Sequence, residues 1–116
     1  MIKTAGELIK QAQTEVKCLN VESAKRLYDE SGDAVIIDVR ESDSAAESKL
    51  DDSINISRGL IEMKVPGQFP DPDTIILTHC GGGGRATLAA LTLQQMGYQN
   101  VYAITAKYED IKSSFG

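Results

Sequence analysis

One short stretch of this chain carries chemistry of its own: Cys80-Gly81-Gly82-Gly83-Gly84-Arg85. An ionised thiol is a strong nucleophile, and its surroundings decide how much thiolate is present. Four consecutive glycines, each free to take positive φ, let the backbone curl until successive N–H groups converge on one point. The run Thr74 to Thr78 before them is strongly β-prone, and Arg85 to Met96 after them carries apolar residues at helical spacing. The loop therefore joins a strand to a helix. That helix adds its unpaired N-terminal N–H groups and the positive end of its dipole. The result is an anion cradle built from backbone. Cys80 opens it in surroundings that favour a thiolate, and Arg85 closes it with a permanent charge and a two-pronged fork for an oxyanion. A plain flexible connection is the alternative, but four glycines in a row are entropically costly for a mere link.

The interval between cysteine and arginine sorts the chemistry. Cysteine-dependent phosphatases place five residues there, which leaves room for a tetrahedral phosphate. Here only Gly81, Gly82, Gly83 and Gly84 intervene. The shorter loop suits a smaller group, a single sulfur atom carried on the cysteine. The other chemistry-bearing residues are few. His79 is the one histidine, so a multi-histidine metal site is impossible, and Cys18 and Cys80 lack zinc-finger spacing. The two cysteines could form one disulfide or stay free. The start, Met1-Ile2-Lys3-Thr4-Ala5-Gly6-Glu7, carries an early acid and no apolar signal core. The expected compartment is therefore the cytoplasm, where both cysteines are thiols. Cys18 is expected to be a small packed apolar residue rather than a resolving thiol.

The elements that must position the loop follow from the apolar spacing. Ala5, Leu8, Ile9, Ala12 and Val16 predict a helix over 4–16, opened by a capping box of Thr4 and Glu7. A short strand is expected near Val16 to Leu19, then a helix over Val21 to Tyr28 capped by Asn20 and ended by Ser31-Gly32-Asp33. Ala34 to Val39 is apolar on both faces, the mark of a strand in the middle of a parallel sheet. A short helix over 44–49, a strand over 53–56, a helical turn over 58–64 and a loop over 66–73 come next. After the strand, glycine loop and helix already described, Gly97 closes that helix. The last elements are a strand over Val101 to Ile104 and a helix over Tyr108 to Ser114. This alternation predicts a small α/β domain, its central, mainly parallel sheet flanked by helices on both faces.

The chain's 116 residues suffice for one domain, residues 1–116, with 1–15 a helical extension and 16–116 the core. A net charge of −5 argues against a nucleic-acid surface, which needs clustered Lys and Arg. Apolar runs such as Ala34-Val35-Ile36-Ile37 are far too short to span a membrane.

Four segments together resemble the single-domain rhodanese, or thiosulfate sulfurtransferase, family. They are Val35-Ile36-Ile37-Asp38-Val39-Arg40-Glu41, Ser53-Ile54-Asn55-Ile56-Ser57-Arg58-Gly59, the strand and loop Ile75 to Ala86, and Met96-Gly97-Tyr98-Gln99-Asn100-Val101-Tyr102. The resemblance covers roughly Val16 to Ile104. It departs from the family at Ser57, where proline is usual, at Ser44-Ala45, at Ser48-Lys49-Leu50-Asp51-Asp52, and after the last strand at Thr105-Ala106-Lys107 and Ile111. The catalytic loop is intact.

The resemblance implies a two-step sulfur transfer through a persulfide on Cys80. The donor is thiosulfate or a similar anion. The acceptor is cyanide, a thiol or a protein, and no cofactor or metal is required. A persulfide carrier serving a protein partner is the first alternative, and a phosphatase or arsenate reductase the second. The resemblance also implies that Asp38 braces the active loop. Arg40 is expected to pair with a nearby carboxylate. Arg58 and, more weakly, Lys64 are candidates to reach the pocket mouth, with a solvated loop arginine as the alternative for Arg58. Strand alternation turns His79 to the face opposite Cys80, against a general-base role.

Overall fold

Helix signals flank each short apolar run, and the computed structural model, which describes residues 1–116, has six α-helices alternating with five strands. Helix α1 (Ala5–Gln13) opens on the reciprocal box of Thr4 and Glu7. After β1 (Lys17–Leu19), Asn20 caps α2 (Val21–Ser31), which ends where Gly32 turns left-handed at φ 76°. Then come β2 (Val35–Asp38), α3 (Ser42–Glu47), β3 (Ser53–Asn55), a 3-10 turn over Arg58–Leu60, and α4 (Ile61–Gln68). The last elements are β4 (Ile75–His79), α5 (Gly84–Met96), β5 (Asn100–Ile104) and α6 (Tyr108–Phe115).

All strand pairings are parallel, in the order β1-β5-β4-β2-β3. From β2 the chain winds outward to β3, jumps back to β4, and continues the other way to β5. The winding therefore reverses between β2 and β4. Open α/β sheets bind ligands at such a switch point, beyond the carboxyl ends of the strands. Cys80 follows β4 there, and Val39 and Arg40 follow β2.

Alternation along the central strands builds the two cores. Ile37, Val39, Ile76 and Cys80 face a cluster closed by α4 and α5, with α1 packed on α5. Ile36 and Leu77 face the other way, into a cluster closed by α2 and α6. Ile36, Ile37, Ile76 and Leu77 are essentially completely buried. Each such side chain contributes about 1.5–3 kcal/mol on leaving water. These four central-strand residues anchor the strand ends that carry the site.

Helix α2 runs to Ser31 rather than Tyr28 and α3 covers 42–47 rather than 44–49, and two further boundaries differ for a physical reason. The helix over 58–64 starts later and runs through Pro66 and Gly67, residues expected to be loop, to Gln68. Ile61 and Val65 sit one turn apart and are both wholly buried. That anchored face outweighs the backbone hydrogen bond Pro66 cannot donate. Helix α1 stops at Gln13 rather than Val16, where the Thr14 hydroxyl turns back onto the Gln11 carbonyl at 2.7 Å. No helix is long and apolar enough to cross a membrane.

Candidate active site

The cysteine is the first residue beyond β4, and its side chain is 2% exposed. Two backbone donors reach its sulfur: the Gly83 N–H at 3.1 Å and the Ala86 N–H at 3.4 Å. Gly83 is the N-cap of α5 and has no side chain to accept from the first turn. Cys80 Sγ takes that place, accepting the N–H that a capping oxygen would otherwise satisfy. The positive end of a 13-residue helix is thereby aimed at the sulfur.

The loop curls differently from the expectation. Only Gly83 takes positive φ, at 102°, while Gly81, Gly82 and Gly84 do not. Two N–H groups meet the sulfur, one from the loop and one from the N-terminal turn of the helix, at Ala86, a residue not singled out from the sequence. Its signal was its place in the first helical turn. Sterics explain two glycines. A Cβ on Gly83 would stand 3.0 Å from Thr105 Cα, and one on Gly84 2.8 Å from Ile9 Cδ1. Gly81 and Gly82 have no such crowding and form the exposed mouth. Thr87 holds the Gly83 carbonyl through N–H (3.0 Å) and hydroxyl (2.7 Å), and the Thr78 hydroxyl donates to the Ala86 carbonyl at 2.8 Å. Sequence reasoning missed both threonines.

Arg85 is exposed in the first turn of α5, its guanidinium folded back to within 3.8 Å of where a Gly81 Cβ would lie. No carboxylate pairs with it among the ion pairs of the chain. Its charge remains available at the mouth.

Asp38 and Arg40 sit on the opposite face of the sheet. The Arg40 Nε and Nη2 groups donate to both carboxylate oxygens of Asp38, at 3.0 and 2.8 Å for the shortest contacts. The Arg40 backbone N–H adds a third bond at 3.0 Å, and Nη2 also donates to the Ser48 carbonyl at 2.6 Å. Asp38 is wholly buried and Arg40 nearly so. The hydrogen bonds that Arg40 donates to Asp38 hold its guanidinium above its ordinary pKa. His79 faces this pair, its Nε2 4.0 Å from Asp38 Oδ2, and neither ring nitrogen has a partner. Burial pushes the His79 ring below its ordinary pKa, against the pull of the Asp38 carboxylate. The link from this cluster to the loop runs through Tyr108, another residue missed from the sequence: its N–H donates to the Gly81 carbonyl at 3.0 Å.

Arg58 does not reach the mouth. Its guanidinium is engaged by Thr92 Oγ1 at 3.0 Å and by Glu62 at 3.4 Å, two turns along α5 from the loop. Fixing one turn of chain against α5 costs this arginine its reach. Lys64 is exposed on α4 and forms no ion pair. Cys18 is a free thiol, half-buried, with burial pushing its pKa up. It lies in register with Ala103, which is in register with Thr78, so two strand spacings separate it from β4. At roughly 4.8 Å per spacing that gap is too wide for a disulfide to Cys80 without backbone movement. No group of three or more His, Cys, Asp or Glu side chains gathers at metal-ligating distance. The chain's one sizeable cleft, about 260 Å³ and lined by Pro66, Pro70, Pro72, Met96, Gly97 and Tyr98, lies at the far end of α5 from Cys80.

The sequence model of the rhodanese-like domain matches residues 20–114. The chain belongs to the rhodanese-like domain family. Helix α1 lies outside the matched rhodanese residues. Among solved structures, a protein of unknown function from Rhodopseudomonas palustris, described as a possible tyrosine phosphatase, superposes with TM-score 0.83 at 26% identity, covering 100% of this chain and 94% of that one. The polysulfide-sulfur transferase homodimer of Wolinella succinogenes gives TM-score 0.73 at 26% identity, covering 88% of this chain and 77% of that one. A human single-domain sulfurtransferase gives 0.70 at 20% identity, covering 82% and 94%, a likeness of fold. The family and the W. succinogenes neighbour support a sulfurtransferase-type role for this rhodanese domain.

Proposed function

We propose that this rhodanese domain moves a sulfane sulfur from thiosulfate or a similar anion to a thiophilic acceptor through a persulfide on Cys80. The observation that carries the reading is the buried Cys80 sulfur held by the Gly83 and Ala86 N–H groups beneath an exposed glycine mouth flanked by Arg85.

In the first half-reaction the Cys80 thiolate attacks the outer sulfur of thiosulfate. A new S–S bond forms, the S–S bond of thiosulfate breaks, and sulfite leaves with its electron pair. Arg85 draws the dianion to the mouth of a chain whose net charge of −5 otherwise repels it. The N–H groups stay in place while negative charge moves from the cysteine sulfur to the outer one. In the second half-reaction an acceptor attacks the outer sulfur and the Cys80 thiolate returns, a ping-pong cycle. Cyanide as acceptor yields thiocyanate; a thiol or a protein cysteine takes the sulfur as a persulfide.

A cysteine-dependent phosphatase is the competing reading, favoured by the description of the R. palustris neighbour. Against it stands the loop, one residue short of the interval that accommodates phosphate. Two assays on one preparation separate them. Thiosulfate with cyanide should yield thiocyanate in a Cys80-dependent manner, and an aryl phosphate should yield no Cys80-dependent product. The reverse pattern overturns the proposal.

A further inference from the structure

Resting on the sulfur-transfer reading, we infer that Tyr108 is a positioning residue that aims a third backbone donor, the Gly82 N–H, at the outer sulfur of the persulfide. The Tyr108 N–H donates to the Gly81 carbonyl at 3.0 Å. Helix α6, which Tyr108 opens, lies on the sheet face opposite the Cys80 sulfur. The Gly81 carbonyl is therefore drawn toward the α6 side. In a trans peptide the carbonyl and the following N–H point in opposite directions. Pinning the Gly81 oxygen toward α6 turns the Gly82 N–H toward the sulfur side, where no protein acceptor takes it. The Gly83 and Ala86 N–H groups already serve Sγ, and among the other loop N–H groups without a protein acceptor the one on Gly82 is the one this carbonyl bond orients.

The Tyr108 ring holds that clamp in place. It packs against the Arg40 guanidinium, 4.0 Å from the ring centroid, and the His79 ring, at 6.0 Å and 25°. Its hydroxyl meets Ser48 Oγ at 2.7 Å. The buried Asp38–Arg40 pair and the unpartnered His79 thereby act on the loop from behind. On loading, the thiolate–sulfane bond forms, the thiosulfate S–S bond breaks, and charge collects on the outer sulfur, where the Gly82 N–H stabilises it.

The backbone offers a way to delete this one hydrogen bond. Tyr108 is the first residue of α6, and Lys107 before it is extended, at φ −71° and ψ 147°. Proline is favoured at a first helical position and wants an extended residue before it. Tyr108→Pro removes ring and N–H, Tyr108→Ala removes the ring alone, and Tyr108→Phe keeps both. Two rates are measured on each: persulfide formation on Cys80 with thiosulfate, by intact mass, and alkylation of the Cys80 thiol by iodoacetamide. The Pro variant should load sulfur at least about tenfold more slowly than the Ala variant. The Ala variant should be slower than wild type, and Phe should restore most of what Ala loses. Alkylation should stay within about twofold throughout, because the donors to Sγ are untouched. Equal loading by Pro and Ala variants, or loading and alkylation falling together, overturns the clamp. If the Pro variant shows no cooperative melt, equal loading by Ala and Phe variants overturns it instead. Wild-type protein that takes sulfur from neither thiosulfate nor polysulfide overturns the sulfur-transfer reading itself.

Discussion

Replacing Gly83 by alanine should unseat the loop, while the same change at Gly82 should not. Gly83 holds φ at 102°, where an L side chain is strained, and its Cβ would stand 3.0 Å from Thr105 Cα and 3.5 Å from Thr105 Cβ. The backbone strain costs about 1–3 kcal/mol, and crowding against a neighbour that is itself backbone adds about 1–3 kcal/mol. Gly82 lies outside the positive-φ region with nothing within 4 Å of its Cβ position. Alanine there should be neutral or gain about 0.4–1 kcal/mol by restricting the unfolded chain. For 116 residues, an unfolding entropy of about 2.1 cal/mol/K per residue gives about 0.24 kcal/mol per degree. Gly83→Ala should therefore melt about 8–29 °C below Gly82→Ala. Circular dichroism melts of the two variants, run side by side, measure this. Gly83 is also the nearer donor to Cys80 Sγ, so the variant should load sulfur slowly even well below its melting point. Melting temperatures within about 2 °C of each other would refute the reasoning.

Other perturbations separate the site from its supports. Arg40→Met strands the buried Asp38 carboxylate and should cost about 3–5 kcal/mol by urea denaturation; a loss under 1 kcal/mol would mean the pair is not buried in solution. His79, with its pKa pushed down by burial beside Asp38, Arg40 and Tyr108, binds fewer protons folded than unfolded just below the ordinary imidazole value. Stability should then fall as pH drops below about 6.5, by up to about 1.4 kcal/mol per pH unit, and His79→Phe should flatten that slope. An unchanged slope in that variant would assign it elsewhere. Arg58→Ala should leave sulfur loading within about twofold of wild type and cost under about 1 kcal/mol, since its ion pair with Glu62 is partly exposed. Cys18→Ala should likewise load at the wild-type rate; a persulfide lost in that variant would give Cys18 a part in the transfer.

Much of the fold was legible because its signals are local. The Thr4–Glu7 box, the Asn20 cap and the left-handed Gly32 and Gly97 stand where spacing predicted. The almost wholly apolar run of β2, with Asp38 at its end, announced a central parallel strand. The candidate cysteine and its glycines were legible as a unit for the same reason, being contiguous in sequence. What was not legible depends on contacts between distant segments. Thr105 behind Gly83, Tyr108 on the Gly81 carbonyl and Thr92 on Arg58 leave no periodicity to read. Helix α4 ran past its expected end because burial of Val65, a tertiary effect, outweighed the proline that follows it. All four loop glycines are free to take positive φ, yet only Gly83 does, because a single left-handed residue suffices to turn the chain into α5.

The central claim is that Cys80 carries sulfur, and an intact-mass spectrum tests it most directly. The protein is incubated with thiosulfate without reductant, beside Cys80→Ser, and both are weighed. The account predicts a gain of one sulfur atom in the wild type, absent in the variant and reversed by cyanide with release of thiocyanate. No gain in protein whose Cys80 titrates as a free thiol, or an equal gain in the serine variant, would contradict it.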